Sequence, residues 1–580
     1  MAKNKKKTNP NKAKLTPGGI LLRIILIALV VGFVIYPNIN IITQVLFEDG
    51  AFTATPFLKL MKSKRAVKCV INSFVLGVCL TISVNVVGIL SVLITDYWDI
   101  KGAKFLRPAY MTSLVYSGVV LASGYLYVYG KNGAITQLLT AINPGMDAGW
   151  FTGFWAVLFM MTFACTSNHV IFLKNTIHGL DYHTIEAAHN MGASDAKILF
   201  QIVLPSLLPT IYSLSIMTFL TGLCALSGPA MVGGEFQTIN PMIVSFANSP
   251  GSRDLAAVLA MVLGLATIFL IVILNKLESK GNFISVSKTK AKMRKQKLRN
   301  PIANVIAHIV AYAMFIIYML PICFVVIFSF QESMAVKTSK FSFDTFTIEH
   351  YITLFTKPNA MSPFLVSLVY SVVAALLAAA VCVLAARLVV KKDRKFDKVF
   401  EYGMLIPWML PTTFVALGIL FTFNEPRWFV GNAILVGSIF AMLIAYVVIK
   451  LPFSFRMIRA ALMGIDNNME EAALTMGAKG TRILLQVILP VILPSVMSVA
   501  ALNFNALLGD YDLSVFLYTP RFQPLGVVIK FYSDEGAAIN GQAMTLVYSV
   551  MLMILCTVAL YFTQGDGVKK VKALVTKKAK

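Results

Sequence analysis

"EAAHNMGASDAKILFQIVLPSLLP" occupies residues 186–209, and "EAALTMGAKGTRILLQVILPVILP" occupies residues 471–494. The two stretches align without a gap at an offset of 285 residues, and 13 of their 24 positions are identical. Each inserts an acidic residue, two alanines, a Gly-Ala step and two prolines into a chain otherwise built from long apolar runs. Repetition at a fixed offset divides the chain into two equivalent halves.

Each copy reads as a helix, a break and a second helix. Glu186, Ala187 and Ala188 suit the first turn of a short helix, where the dipole favours an acid. Gly192 is placed to end that helix in a left-handed conformation. Ala193 leaves room for close contact, and Leu204-Pro205 with Pro209 marks entry into the next span. Glu471, Ala472, Ala473, Gly477, Ala478, Leu489, Pro490 and Pro494 take the same roles in the second copy.

The surrounding composition sets the class. Of 580 residues, 57% are hydrophobic and 13% charged, with a mean hydropathy of +0.76. A soluble domain carries about twice that charged fraction. Apolar runs of roughly 20 residues, long enough to cross a bilayer as helix, recur throughout. The fold expected is therefore all-α and polytopic, with about twelve spans. The first six lie near 21–46, 66–94, 108–129, 151–173, 202–226 and 255–275, and the second six near 302–330, 363–390, 402–423, 431–451, 487–508 and 543–562.

The net charge of +25 does not point to nucleic acid, because of where it lies. Basic residues gather in "MAKNKKKTNPNKAK", "SKTKAKMRKQKLRN" and "KKVKALVTKKAK", each beside an apolar run. That is the positive-inside pattern, which places these segments in the cytoplasm, and attraction to anionic headgroups accounts for them. Lys101, Lys104 and Arg107, and the loop "RLVVKKDRKFDK", fall inside on the same scheme. The expected organisation is a basic cytoplasmic N-terminus (1–20), a first membrane unit (21–275), a basic cytoplasmic linker (276–301), a second membrane unit (302–562) and a basic cytoplasmic tail (563–580). The halves share one orientation, so the duplication is parallel.

Both copies carry EAA, three residues, Gly, and about a dozen residues to Leu-Pro, with "GLDYHTIEAA" and "GIDNNMEEAA" leading in and Asp181 equivalent to Asp466. In this the chain resembles the membrane permeases of binding-protein-dependent ABC importers. "INSFVLGVCLTISVNVVGILSVLI" and "LVYSVVAALLAAAVCVLAARLVV" look like the second span of each permease unit, and "YGMLIPWMLPTTFVALGILFTF" looks like the span that follows. The resemblance implies two parallel six-helix units of the type I importer fold. It also implies that Glu186, Ala187, Ala188, Gly192 and Ala193, with Glu471, Ala472, Ala473, Gly477 and Ala478, form coupling helices that dock on a cytoplasmic ABC ATPase dimer. Pro407 and Pro411 in the second half have no counterpart in "MTSLVYSGVVLASG", so an asymmetric substrate path is expected.

No GxxxxGK[ST] sequence occurs, so the chain has no P-loop of its own. It is not read as an enzyme. ATP and magnesium are expected on the partner ATPase, with no cofactor in this chain, and cargo is expected to arrive on an external substrate-binding protein. The implied setting is the bacterial cytoplasmic membrane, multi-pass, with both termini cytoplasmic. No metal-ligand spacing occurs, and the seven cysteines read as small hydrophobes in apolar runs. His169 reads as packed or headgroup-facing near a span end. Asn72, Asn85, Asn503 and Asn505 sit in apolar runs, where interhelical hydrogen bonding outweighs substrate contact; Asn85, Asn503 and Asn505 are the candidates for a translocation path. "SGPAMVGGEFQTINP" and "LGDYDLSVFLYTPRFQPLG" read as external segments, either lining a polar cavity or plain loop. The fused form resembles ferric iron permeases, with thiamine, phosphonate and polyamine systems as alternatives. A twelve-span secondary transporter is disfavoured by the scarcity of ionisable residues within spans.

Overall fold

A computed structural model describes residues 17–48, 51–114, 116–280, 293–390, 395–478, 480–534 and 536–564. Most of the basic N-terminus and C-terminal tail, residues 281–292 of the linker and residues 391–394 of the second-half loop lie outside them. In lipid every backbone polar group needs an internal partner, which favours helix. The regular structure of the described residues is accordingly helical, with turns and irregular connections between helices, apart from a two-residue pairing of Phe47–Glu48 with Ala51–Phe52 and three isolated bridges.

Ten described helices are long and apolar enough to span: Ile20–Leu46, Lys64–Tyr97, Phe154–His178, Asp195–Leu223, Arg253–Ile273, Pro301–Phe328, Pro358–Val389, Ile439–Met463, Gly480–Leu508 and Ile539–Ala559. Phe400–Met409 and Thr412–Phe423 meet the same test only as a pair bent by 110°, the geometry of a broken span or a re-entrant element. Pro411 explains that bend, since it has no N–H to continue the first helix and caps the second. The expected span at 108–129 is likewise broken, into Ala103–Tyr110, which carries Pro108, and Gly118–Tyr129, although no proline stands at the break as Pro411 does in the second half. There Ser117 restarts the chain, its side chain accepting the Val120 N–H. The third element is therefore interrupted in both halves, and the proline difference alone carries no asymmetry at this point.

The packing units cut across the sequence halves. The smaller comprises Met1–Thr43, Tyr370–Phe504 and Leu560–Lys580; the larger comprises Gln44–Val369 and Asn505–Ala559. Within the smaller unit the N-terminal helix packs on the broken third element of the second half. A Cβ at Gly418 would lie 3.0 Å from the Pro37 carbonyl oxygen, Phe33 meets Phe423 at 5.7 Å, and the Asn40 side chain donates to Thr422 Oγ1 at 2.9 Å. Within the larger unit Pro301–Phe328, the first helix of the second half, packs on the broken third element of the first. A Cβ at Gly124 would lie 3.1 Å from the Pro321 carbonyl, and the Tyr110 hydroxyl donates to Ala311 O at 2.7 Å.

In each case a glycine lets a short helix approach the backbone of a long one beside a proline, the close contact on which lipid-embedded helices rely. Lys64–Tyr97 and Asp195–Leu223 also meet at glycines, with Gly222 set so that a Cβ would be 2.8 Å from Gly77 Cα. A carbonyl cannot rotate aside as a side-chain tip can. Valine at Gly124 or at Gly418 should therefore cost about 1–3 kcal/mol through overpacking. The expected result is a lower melting temperature of the detergent-solubilised protein for both variants, read by size-exclusion after heating; wild-type melting by both would contradict this packing.

Candidate coupling site

The two copies of the opening motif have the same backbone. In the first, the helix Tyr182–Asn190 is capped by Asp181, whose carboxylate accepts the His183 N–H at 3.1 Å. In the second, the helix Asn467–Thr475 is capped by Asp466, which accepts the Asn468 N–H at 3.0 Å. An Asp cap satisfies a free N–H of the first turn, so each helix begins a turn before the Glu. Glu186 and Glu471 therefore sit in the second turn, not the first.

The ends match bond for bond. Gly192 N–H donates to His189 O at 2.9 Å and Ala193 N–H to Ala188 O at 3.0 Å; Gly477 N–H donates to Leu474 O at 2.9 Å and Ala478 N–H to Ala473 O at 3.0 Å. These paired bonds form a Schellman stop. It requires the positive φ seen at Gly192 (81°) and Gly477 (79°). No neighbouring atom lies within 4 Å of a Cβ built on either glycine, so backbone conformation alone selects the residue.

The next helix starts earlier than the prolines suggest, at Asp195 and at Gly480. A π turn precedes each proline, with Leu204 N–H bonded to Leu199 O and Leu489 N–H to Leu484 O. That widened turn carries Pro205 and Pro490 without ending the helix. Each short helix is thus joined by a tight reversal to one continuous span.

Each short helix keeps one face on the protein and offers the other to its surroundings. Ala188 and Ala473 are buried, whereas Glu186, Ala187, Glu471 and Ala472 are exposed. Met191 and Met476, 285 residues apart, are each 81% exposed beside the glycine stop. An apolar side chain so placed in both copies was legible in the sequence and was missed there.

The anchoring differs between copies. Ile185 is buried in an apolar cluster with Tyr97, Ala188, Ile198 and Met293. The equivalent residue of the second copy is Glu470, whose carboxylate takes both guanidinium arms of Arg387, one at 3.0 Å. The first copy also carries a strap from the linker. Met293 is buried, Arg294 lies 5.6 Å over the Tyr182 ring, and Gln296 N–H donates to Tyr97 O at 2.8 Å. Arg299 N–H donates to the Asp195 carboxylate at 3.0 Å, at the far side of the glycine stop. Residues 293–299 are thus strapped to the protein through Met293 and backbone hydrogen bonds, while Arg294, Lys295, Lys297 and Arg299 stay exposed. Nearby, the buried Asp96 carboxylate accepts from Arg107, with His178 Nε2 at 3.0 Å.

Each of the three path candidates has a hydrogen-bond partner of its own. Asn85 donates to Ser215 Oγ at 2.8 Å and lies 3.2 Å from His169 Nε2, Asn503 donates to Ser454 Oγ at 2.7 Å, and Asn505 donates to Cys556 O at 3.2 Å. Each ties helix to helix, and Asn72 donates to Gln237 O at 2.9 Å. His169 is fully buried within Phe154–His178, packed against Gly88, which is the packed rather than the headgroup-facing alternative. Of the cysteines, Cys323 is exposed rather than buried. The two segments read as external mix short helices, Ser227–Val232 and Ser514–Leu517, with irregular stretches that run on into the helices Ile239–Ala247 and Leu525–Ser533.

With this geometry in view, comparison with known proteins is decisive. The family described as the binding-protein-dependent transport system inner membrane component matches residues 50–278 and again 380–564. The chain belongs to this family. A probable ABC transporter permease protein (y4fN) of Sinorhizobium fredii is 34% identical over 529 residues, covering 90% of this chain and 92% of that one. The ferric transport system permease protein FbpB of Actinobacillus pleuropneumoniae is 22% identical, covering 97% of this chain and 80% of that one. A putative 2-aminoethylphosphonate transport system permease protein (PhnV) of Salmonella typhimurium is 26% identical, covering 44% of this chain and 93% of that one. This permease of two repeated units is a polytopic all-α membrane protein and a transport subunit.

A β-branched residue at the permease's left-handed stops costs about 1–2 kcal/mol or more. Gly192→Val and Gly477→Val should each speed amide exchange at the paired stop N–H groups by about tenfold or more, with global melting little changed. Unaltered exchange in both would show that the stop does not depend on glycine.

Proposed function

We propose that this permease passes ferric iron from an external binding protein across the bacterial cytoplasmic membrane, with both termini cytoplasmic. A separate ABC ATPase dimer, holding ATP and magnesium, docks on the two short helices. Glu186, Ala187, Ala188, Gly192 and Ala193, with their counterparts Glu471, Ala472, Ala473, Gly477 and Ala478, form the docking elements. Met191 and Met476 supply the apolar contact.

The observation that carries this reading is the duplicated exposed helix, stopped at a left-handed glycine and joined to a continuous span. A short helix so attached moves with the span as one body, which is what a conformational drive from outside the chain needs. The charge of the sequence favours the orientation, since its basic segments cluster on the side assigned to the cytoplasm. For the cargo, support comes from the iron-named relative, whose alignment runs through both halves, whereas the phosphonate-named one spans about one. Tight metal binding belongs to the external protein, because a passage must let its cargo leave.

Uptake of radiolabelled iron, thiamine and 2-aminoethylphosphonate by cells with and without the gene tests the cargo. Iron uptake should fall in its absence and should require nucleotide in vesicles. Met191→Asp with Met476→Asp should reach the membrane normally yet lose at least about tenfold of the uptake, since a charge replaces a desolvated contact. Unchanged iron uptake with loss of another substrate would overturn the cargo alone, and nucleotide-independent uptake would overturn the ATP-driven mechanism.

A further inference from the structure

Ser227 and Asp512 are 285 residues apart, so they occupy the same position in the two halves. They touch: Ser227 Oγ–H donates to Asp512 Oδ1 at 2.5 Å. Two equivalent positions in direct contact mark the local axis relating the repeats. The pair lies just beyond the ends of Asp195–Leu223 and Gly480–Leu508, so 29 residues of helix, roughly 44 Å, separate it from the start of the span that leaves each glycine stop.

Both residues keep accessible surface although their neighbours do not. Leu226, Gly228, Tyr511 and Leu513 are buried, while Ser227 and Asp512 are partly exposed. The nearby Asp510 is engaged elsewhere, accepting the Leu513 and Ser514 N–H groups at 3.2 and 3.1 Å. No described Lys, Arg or His forms an ion pair with Asp512. Burial raises its carboxyl above the ordinary range, opposed by hydrogen bonds from the Ser227 hydroxyl and backbone N–H, which favour the ionised form. A largely buried carboxylate without a cation partner is costly unless it faces a polar route.

We infer that Asp512, oriented by Ser227 on the axis between the repeats, is a specificity-determining residue that places a fixed negative charge on the cargo route, admitting cations and disfavouring anions. This rests on the importer reading and narrows its cargo to a positively charged species. Ser227 is the positioning residue. The competing role is purely structural, with Asp512 capping the short helix that begins at Ser227. Asp512→Asn separates the two, because the amide oxygen still accepts both hydrogen bonds and only the charge is lost.

The test reads the local field without knowledge of the cargo. Ser227→Cys is introduced into the full chain with either Asp512 or Asp512→Asn, and cells are treated from outside with a cationic or an anionic methanethiosulfonate. Mass spectrometry of the peptide reads the adduct at residue 227. The cationic reagent should react at least about tenfold faster than the anionic one, as for a charged cleft, and Asp512→Asn should abolish most of that preference. In parallel, Asp512→Asn should lower labelled iron uptake about tenfold at unchanged membrane level and ATP hydrolysis. Equal rates for the two reagents, or no reaction with either, would overturn the inference, and so would full iron uptake by Asp512→Asn. Wild-type cells lacking nucleotide-driven uptake of any probe would instead overturn the importer reading itself.

Discussion

The structure depends on a chain reversal made twice, at Gly192 and Gly477. Each reversal is held by two backbone hydrogen bonds and a positive φ, with no atom within 4 Å of a Cβ built on either glycine. The consequence is geometric. A helix that would run on into the following span is stopped, turned and presented beside it, attached by three or four residues. Remove the left-handed conformation and the short helix has no fixed relation to the span. The alanines follow from the same constraint, because Ala188 and Ala473 accept the longer of the two bonds from beneath the helix, where they are buried and a large side chain would be costly.

Around this shared element the halves differ in how they hold it. The first copy is seated on an apolar cluster through Ile185 and clasped by the returning linker, whose Arg299 N–H reaches Asp195 across the stop. The second is held by the two-armed Arg387–Glu470 pair. A partly buried Arg–carboxylate fork gives directional, charge-dependent anchoring, whereas apolar packing is tolerant of sliding. The two short helices are therefore anchored by different kinds of contact. The glycine contacts at Gly124 and Gly418 show the opposite tendency, one device repeated in both packing units.

Much of this was legible because its chemistry is local. Asp181 and Asp466 cap, Gly192 and Gly477 stop, and the apolar runs span, each by rules that act within a few residues. The helix starts were misplaced by a turn because the Glu of the motif was weighted above the Asp that precedes it. The breaks near residues 111–117 carried no proline, and a polar restart at Ser117 is a weak signal inside an apolar run. The strap at 293–299 was hidden by composition. Its lysines and arginines point to lipid, and the informative residue is Met293, the buried apolar side chain in that basic run. Contacts between distant segments, such as Ser227 with Asp512, are not coded by spacing, and only the 285-residue offset of the repeats hinted at that meeting.

The central claim is that both short helices engage one cytoplasmic ATPase. Ala187 and Ala472 are exposed, equivalent, and outside the packed face, so a photo-crosslinking amino acid can replace either without disturbing the stop. Irradiation in cells, followed by purification and mass spectrometry, identifies what each touches. The account predicts crosslinks from both positions to the same nucleotide-binding polypeptide. Crosslinks from either position to an external protein, or from both to lipid alone, would contradict it.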